Sequence, residues 1–368
     1  MTAQSTTLRS QATPCGSLPT GRSARQSSQR QPTISRFFWT QNRRNTDREE
    51  VRTMNMTHDI HTHTLFSSCC TDPAATVEAY VRKAAELGHR VFGISDHMWD
   101  ERVPGASAWY AGQSVPYVLE AKNCIPKDTK GVKVLFGAET EYCGMSDTLG
   151  ITAESAKQFD YILVPHTHTH MKNFTMAEPP QITAYRAELA ERLKKAFGDL
   201  PDRQIAKMAN SLSHNELYPL IADTFDFVGY AADFATDSFE RMLNNPEFGR
   251  LTQAVPVIIA HPFAPLEGEL SVEIRRRINL DRVHTLCARA AKMGVGFDIN
   301  LCFYSVPEDG YRNDPMVKIM RAAKEEGVRF TLGTDAHSLA ALETIHRAGP
   351  ICEAIGITDD DWAEIVRT

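Results

Sequence analysis

The chain has 368 residues, 42% hydrophobic and 23% charged, a balance that suits a globular fold rather than a disordered or fibrous one. No stretch approaches the roughly 18 consecutive apolar residues of a membrane-spanning helix, which excludes a helical membrane protein. Net charge is −6, but residues 1–46 hold seven Arg and no acidic residue, so residues 47–368 carry −13 and do not suit a nucleic-acid surface.

Residues 1–55 are rich in Ser, Thr, Gln and Arg and show no hydrophobic period, so they cannot bury enough surface to offset their ordering entropy. Three readings of this leader compete: an organelle transit peptide, a basic nucleic-acid arm, or a start placed too early, with Met54 or Met56 as the first residue. None makes it part of the fold. From Met56 onward, short apolar runs predict strands at Thr57–Ile60, Arg90–Ile94, Lys133–Gly137, Phe159–Val164, Pro256–Ile259, Val295–Ile299 and Arg329–Leu332. Asp72-Pro73 introduces a helix with Val77, Tyr80, Val81, Ala84 and Leu87 on one face and Gly88 beyond its end. Further helices fit 180–197, 279–293, 314–326, 338–348 and 358–367. Strands alternating with helices imply a parallel sheet, and seven of them suit a closed α/β barrel better than an open sheet.

One connection is longer than the rest. Residues 171–254, about eighty positions, lie between the fourth and fifth predicted strands, well beyond a usual connection. They contain an apolar helical face (Ile182, Tyr185, Leu189, Leu193) and the aromatic stretch Phe225–Tyr230. This insert reads either as a lid over a site or as a helical hairpin on the outside of the barrel. Eight cysteines are scattered, only Cys69 and Cys70 being adjacent, so a reducing compartment is expected rather than a disulfide framework. That compartment is the cytoplasm, or an organelle if the leader is a transit peptide.

The chemistry sits after the strands. The first ends in Asp59-Ile-His61-Thr-His63-Thr64, the second in Ser95-Asp96-His97, and the third in Gly137-Ala-Glu139-Thr-Glu141. The fourth runs into His166-Thr-His168-Thr-His170, the fifth into Ala260-His261-Pro262, and the seventh into Gly333-Thr-Asp335-Ala-His337. Carboxyl ends of parallel strands are where α/β folds build sites. His with carboxylate and little Cys suits Zn, Mn or Fe, and more donors than one ion needs imply two or three divalent ions. Isolated histidines (His58, His89, His214, His284, His346) read as surface or helix decoration, and Asp96 could simply cap the next helix.

Together, His61-x-His63-Thr64-x-x-Ser67, Ser95-Asp96-His97, Gly137-x-Glu139, Ala260-His261-Pro262 and Gly333-Thr-Asp335-Ala-His337 resemble the PHP (polymerase and histidinol phosphatase) family. The resemblance spans about residues 56–345 and implies a distorted, TIM-like (β/α)7 barrel with a two- or three-metal cluster. It implies that His61, His63, Glu139 and Asp335 hold one part of the cluster and His97, His261 and His337 most of the rest. One His after the fourth strand joins them; His168 is preferred, with His166 and His170 as alternates. Cys69 stands where the family usually has His or Asp, and a thiolate ligand there would favour softer metals.

Such a cluster suits phosphate-ester hydrolysis by a metal-activated water. No Gly-x-Ser-x-Gly elbow or Walker loop offers another route. Asp335, His170 and Glu139 are the catalytic candidates, with Asp335, His170 or His166 able to protonate the leaving alcohol. Arg312 and Arg102 are the candidates for gripping phosphate. Tyr117-Val-Leu-Glu-Ala-Lys122 is similar to a stretch in histidinol-phosphatase-type members and favours a small phosphomonoester, histidinol phosphate first. The alternatives are a nuclease or nucleotide phosphoesterase, an amidohydrolase-type C–N hydrolase, and a non-catalytic metal-binding barrel. No membrane or nucleic-acid partner is expected, and the oligomeric state is left open.

Overall fold

The computed structural model describes residues 56–169, 171, 174–265, 268–305, 307 and 309–367. The leader and His170 therefore lie outside the described residues. Nine strands occur: β1 (His58–Asp59), β2 (Val91–Ile94), β3 (Lys133–Glu139), β4 (Tyr142–Cys143), β5 (Thr148–Leu149), β6 (Tyr161–Val164), β7 (Val257–Ile259), β8 (Gly296–Asn300) and β9 (Phe330–Gly333). Seven form one parallel sheet in the order β1-β2-β3-β6-β7-β8-β9, while β4 and β5 make a small antiparallel hairpin. Beyond the short β1 the pairing continues into β9: Ile60 N–H donates to Leu332 O (3.0 Å), Asp335 N–H to His61 O (2.8 Å) and His63 N–H to Ala336 O (2.9 Å). The sheet thus closes into a distorted seven-stranded barrel.

Continuous apolar runs such as Val91–Ile94 and Tyr161–Val164 are buried throughout, as parallel barrel strands must be. The lumen is filled by Tyr161, whose hydroxyl donates to Ile60 O at 2.6 Å. Its ring lies so close to the opposite strands that a Cβ at Gly137 would sit 2.5 Å from it, and one at Gly93 would sit 2.7 Å from Ile60 Cβ. Glycine at both places is a packing requirement.

The helices are α1 (Val77–Glu86), α2 (Val115–Asn123), α3 (Ala153–Ala156), α4 (Pro180–Ala196), α5 (Asp202–Ser211), α6 (His214–Ile221), α7 (Phe227–Asn244), α8 (Pro246–Ala254), α9 (Leu270–Arg277), α10 (Leu280–Lys292), α11 (Pro315–Glu325) and α12 (Ala348–Ile355). Helix α1 opens at Thr76, whose hydroxyl accepts from Ala79 N–H, and α10 opens in the same way at Asn279. Between β6 and β7 the long connection folds into α4 to α8. Helix α7 is a wall of the barrel: Ser238 on it donates to His166 O (2.8 Å) and Arg241 to Gly144 O (3.4 Å). Helix α4 is tied to α5 by buried Arg186, which donates to Ala209 O and Leu212 O at 2.9 Å each.

Two expectations change. The predicted helix at 358–367 is instead two 3-10 turns, Asp359–Asp361 and Glu364–Val366, because Trp362 between them is extended and locked in place. Its backbone bridges to Phe330, Ala363 N–H donates to Phe330 O (2.8 Å), and its ring meets His58 edge-on at 4.7 Å. Second, His58, His89 and His214 are buried, not surface decoration. His58 Nε2 accepts from Leu332 N–H at 2.9 Å and so pins the β1–β9 seam, while His214 packs on Phe227 at 4.6 Å. No helix among the described residues is long and apolar enough to cross a membrane.

Candidate metal centre

Past Asp59 the chain turns from ladder to site. Asp59 accepts from Thr334 Oγ1 (2.6 Å) and Thr334 N–H (3.1 Å), joining the last residues of β1 to those of β9. His61 and His63 then project to one face, as alternation along an extended segment dictates. His61 Nδ1–H donates to Asp298 Oδ2 at 2.7 Å, which leaves the Nε2 lone pair facing inward. His63 is set by a relay. Asp96 accepts from Thr64 N–H (2.6 Å), Thr64 Oγ1 (2.7 Å) and Ser67 Oγ (2.8 Å). With its proton on Asp96, the Ser67 oxygen accepts from His97 N–H (2.9 Å) and from His63 Nδ1–H (3.3 Å). Asp96 is therefore an anchor for the site; the next helix, α2, is capped by Ser114 instead.

Glu139 lies at the centre. Its Oε2 is 3.2 Å from both His61 Nε2 and His63 Nε2 and 3.5 Å from His97 Nδ1. Its Oε1 is 3.5 Å from His261 Nε2 and 3.9 Å from His168 Nε2. Asp335 Oδ1 approaches His63 Nε2 at 3.1 Å and His61 Nε2 at 3.5 Å, while Asn300 donates to its other oxygen at 3.1 Å. Donors sharing an ion at bond lengths near 2.1 Å stand about 3.0–3.4 Å apart, and these groups match that spacing. Yet His63 Nε2, His97 Nδ1, Glu139 Oε1 and His261 Nδ1 are buried without a hydrogen bond. Buried polar atoms rarely go unpartnered, so the donor set fits divalent cations. Three groups offer ligand atoms within 4.8 Å of one another: His63, Cys69, His97 and His337; His61, Glu139 and His261; and His61, His63 and Asp335.

The electrostatics agree. Burial alone would raise Glu139 and Asp335, but the imidazoles around them, His97 and His61 for Glu139 and His61 for Asp335, hold both well below the usual carboxylate range. Burial would lower His61, but Asp335, Glu139 and Asp298 outweigh it and hold it well above its ordinary value. His63 rises to about 9 against the same burial, through Asp335 and Glu139. His97, His261 and His337 are pushed down by burial and stay neutral, as ligands must. Protons on His61 and His63 thus occupy the cationic role that a metal would displace. The backbone is strained here too, with positive φ at His261 (32°), Phe263 (56°) and Asp335 (53°).

Among the sequence candidates, the structure brings together His61, His63, Cys69, His97, Glu139, His168, His261, Asp335 and His337. His166 is elsewhere engaged: its Nε2 accepts from Phe263 N–H at 3.1 Å and its ring packs on Phe239. His168 Nδ1 donates to Glu141 Oε2 at 2.6 Å, and its Nε2 faces His261 Nε2 at 3.2 Å. The two arginines are not drawn into the cluster. Arg102 pairs with Asp100 (3.3 Å) and Ser155, and Arg312 lies on the surface, 4.0 Å from Glu353. A cavity of about 470 Å³ lined by Pro256, Gly294, Arg329 and Ile365 includes none of these groups. Asp298, Glu141 and Asn300 were missed as site residues. Asp298 lay inside a run read as an apolar strand, where a carboxylate among buried residues was the available signal.

Gly333 passes against this pair: a Cβ there would sit 2.5 Å from His61 Cβ and overlap Asp298 Oδ1. Gly333→Ala is expected to part His61 from Asp298 and weaken metal retention by about 10–100-fold, the usual cost of a lost outer partner. Competition with a chelator checks it, and unchanged retention would show that the pair can shift intact.

A parallel barrel whose strand ends gather imidazoles and carboxylates about shared donor positions defines a metal-dependent hydrolase. Residues 59–237 match the PHP domain, and the chain belongs to the PHP family. Among solved structures, the histidinol phosphate phosphatase of Lactococcus lactis subsp. lactis Il1403, complexed with zinc, L-histidinol and phosphate, is 15% identical, with 82% of this chain and 94% of that chain covered at a TM-score of 0.47. The N-isopropylammelide isopropylaminohydrolase of Burkholderia multivorans ATCC 17616 is 15% identical over 80% of this chain and 60% of that one, at a TM-score of 0.34. The D-hydantoinase of Bacillus sp. AR9 is 11% identical over 77% and 58%, at 0.33. Comparison with curated proteins finds no match.

Proposed function

We propose that this PHP-domain chain hydrolyses a small phosphomonoester, with histidinol phosphate as the first substrate to test. One observation carries the reading: the two oxygens of Glu139 lie between two sets of inward-facing imidazole nitrogens, so a single carboxylate can join neighbouring divalent ions. His61, His63, His97, Glu139, His168, His261, Asp335 and His337 would hold two or three ions, zinc, manganese or iron. When bound, such ions supply an activated water near neutral pH and neutralise the phosphate oxygens. The chain's own residues do the rest. Asp298, Ser67 and Glu141 fix the ring orientations of His61, His63 and His168, so that lone pairs and not N–H groups face inward. Asp335, half released from His63 by substrate, hands a proton to the departing alcohol. Trp109, edge-on to His97 at 5.0 Å, and the neighbouring Tyr110 wall the site and exclude water from one side.

The seven cysteines among the described residues are all free thiols, which suits a reducing, cytoplasmic setting for this reading. The test is to purify the full chain, count its metals and follow phosphate release from histidinol phosphate, nucleotides and an aryl phosphate. Two or more ions per chain, with release abolished in His61→Ala, support the proposal. Full metal content with no phosphate released from any of them would sink it and turn the search to C–N bonds.

A further inference from the structure

We infer that Cys69 closes one of the metal positions, so that His63, Cys69, His97 and His337 form a nitrogen-and-thiolate site selective for a thiophilic ion such as zinc. The inference rests on the metal-centre reading above and concerns only how its positions differ. Four ligand atoms, one from each residue, lie within 4.8 Å of one another. Two of the imidazoles bring nitrogens that are buried and unpartnered, His63 Nε2 and His97 Nδ1. The three rings are stacked, His63 lying 4.4 Å from His97 and 4.5 Å from His337. Stacked neutral imidazoles point their edges the same way, and here the thiol lies where those edges converge.

Hydrogen bonds fix which atoms are free. His337 Nδ1–H donates to Asp335 O at 2.8 Å, leaving its Nε2 lone pair unclaimed. A carbonyl can only accept, so the tautomer is decided by the partner. His63 Nδ1–H is likewise taken by Ser67. Of the two adjacent thiols, Cys70 is spent: its Sγ donates to His337 O at 3.2 Å. The turn that carries Cys69 is held on both sides, by Cys70 N–H to Ser67 O (3.0 Å) and Ser68 N–H to Gln113 Oε1 (2.8 Å). The sulfur is thus placed by the same Ser67 that orients His63.

The consequence is a division of labour. Four protein donors complete a tetrahedral shell, the mark of a closed site. The other two groups, His61 with Glu139 and His261, and His61 with His63 and Asp335, offer three donors each and keep a place for water or substrate. Thiolate prefers zinc or cadmium over manganese or magnesium. The closed ion therefore sets charge and ring positions for its neighbours and does not itself take substrate.

The experiment loads the metal-free full chain with cobalt(II) and records its absorption. The inference expects an intense near-ultraviolet thiolate-to-cobalt charge-transfer band, lost in Cys69→Ser and kept in Cys70→Ser. In Cys69→Asp, which supplies an oxygen donor and guards against a variant that fails to fold, the band is lost while the number of bound ions stays the same. In that variant the preference for zinc over manganese falls by about tenfold or more. Cobalt bound without the band in the native chain, or a band surviving in Cys69→Ser, overturns the inference and leaves the hydrolase reading standing. Absence of any cobalt binding overturns both.

Discussion

Replacing Glu139 with Gln is expected to remove at least one ion per chain and to lower phosphate release by on the order of 10³-fold, the ~4 kcal/mol of charge stabilisation assigned to such a metal. The carboxylate offers an oxygen to His61, His63 and His97 on one side and another to His168 and His261 on the other. An amide keeps the shape but has one oxygen, and its NH₂ would face lone pairs it cannot bridge. The loss should therefore appear in metal content as well as rate. Metal analysis and a phosphate assay on the same preparation check this, with circular dichroism to confirm folding. A variant with full metal content and a rate within threefold of the parent would remove Glu139 from the centre of the site.

Acid is expected to unfold the barrel well above the range in which carboxylates titrate. Burial first, with mutual repulsion second, depresses His58 from 6.5 to about 3; burial and the charge of His346 depress His89 from 6.5 to about 4. The unfolded chain takes up these two protons near pH 6.5, whereas the folded chain refuses them until pH 3–4. Protons therefore favour unfolding, and stability present at pH 7 falls steadily as pH drops below about 6.5. Between pH 7 and 4.5 the two groups together cost roughly 5 kcal/mol, comparable with the whole stability of many domains. His89 has no hydrogen bond to either ring nitrogen, so His89→Leu should remove about half of the loss without disturbing the seam that His58 holds. Urea midpoints at pH 7, 5.5 and 4.5, measured with a chelator present so that metal release does not contribute, decide it. Parallel pH curves for parent and variant would refute the assignment.

The fold was legible because each barrel strand is a short apolar run followed at once by polar chemistry, and alternation with helices leaves few topologies. The site was legible for a related reason: ligands at strand ends are separated in sequence but repeat one placement. What escaped was whatever depends on partners from other strands. Asp298 looks like an interruption of an apolar run until β8 is laid beside β1 and its oxygen meets His61. Asp96 looks like a helix cap until Thr64 and Ser67 are seen to donate to it. His58 and His89 resemble decoration because nothing local says that Trp362 will fold back against one and the barrel wall over the other. The extended Trp362 also broke a helix that the local pattern favoured, a tertiary contact overriding propensity.

The seam between β1 and β9 has a further consequence for how the protein is born. The segment that matches the PHP domain ends at residue 237, yet His261, Asp298, Asp335 and His337 all follow it. During synthesis His61, His63 and Glu139 emerge early and must wait, unliganded, until the final strand reaches back to Ile60 and His61. A centre whose donors come from opposite ends of the chain is slow to assemble, because the longest loop closes last. Ion capture then acts as a seal on a finished barrel: a nascent or clipped chain lacking β9 keeps its histidines but has no means of retaining the metal.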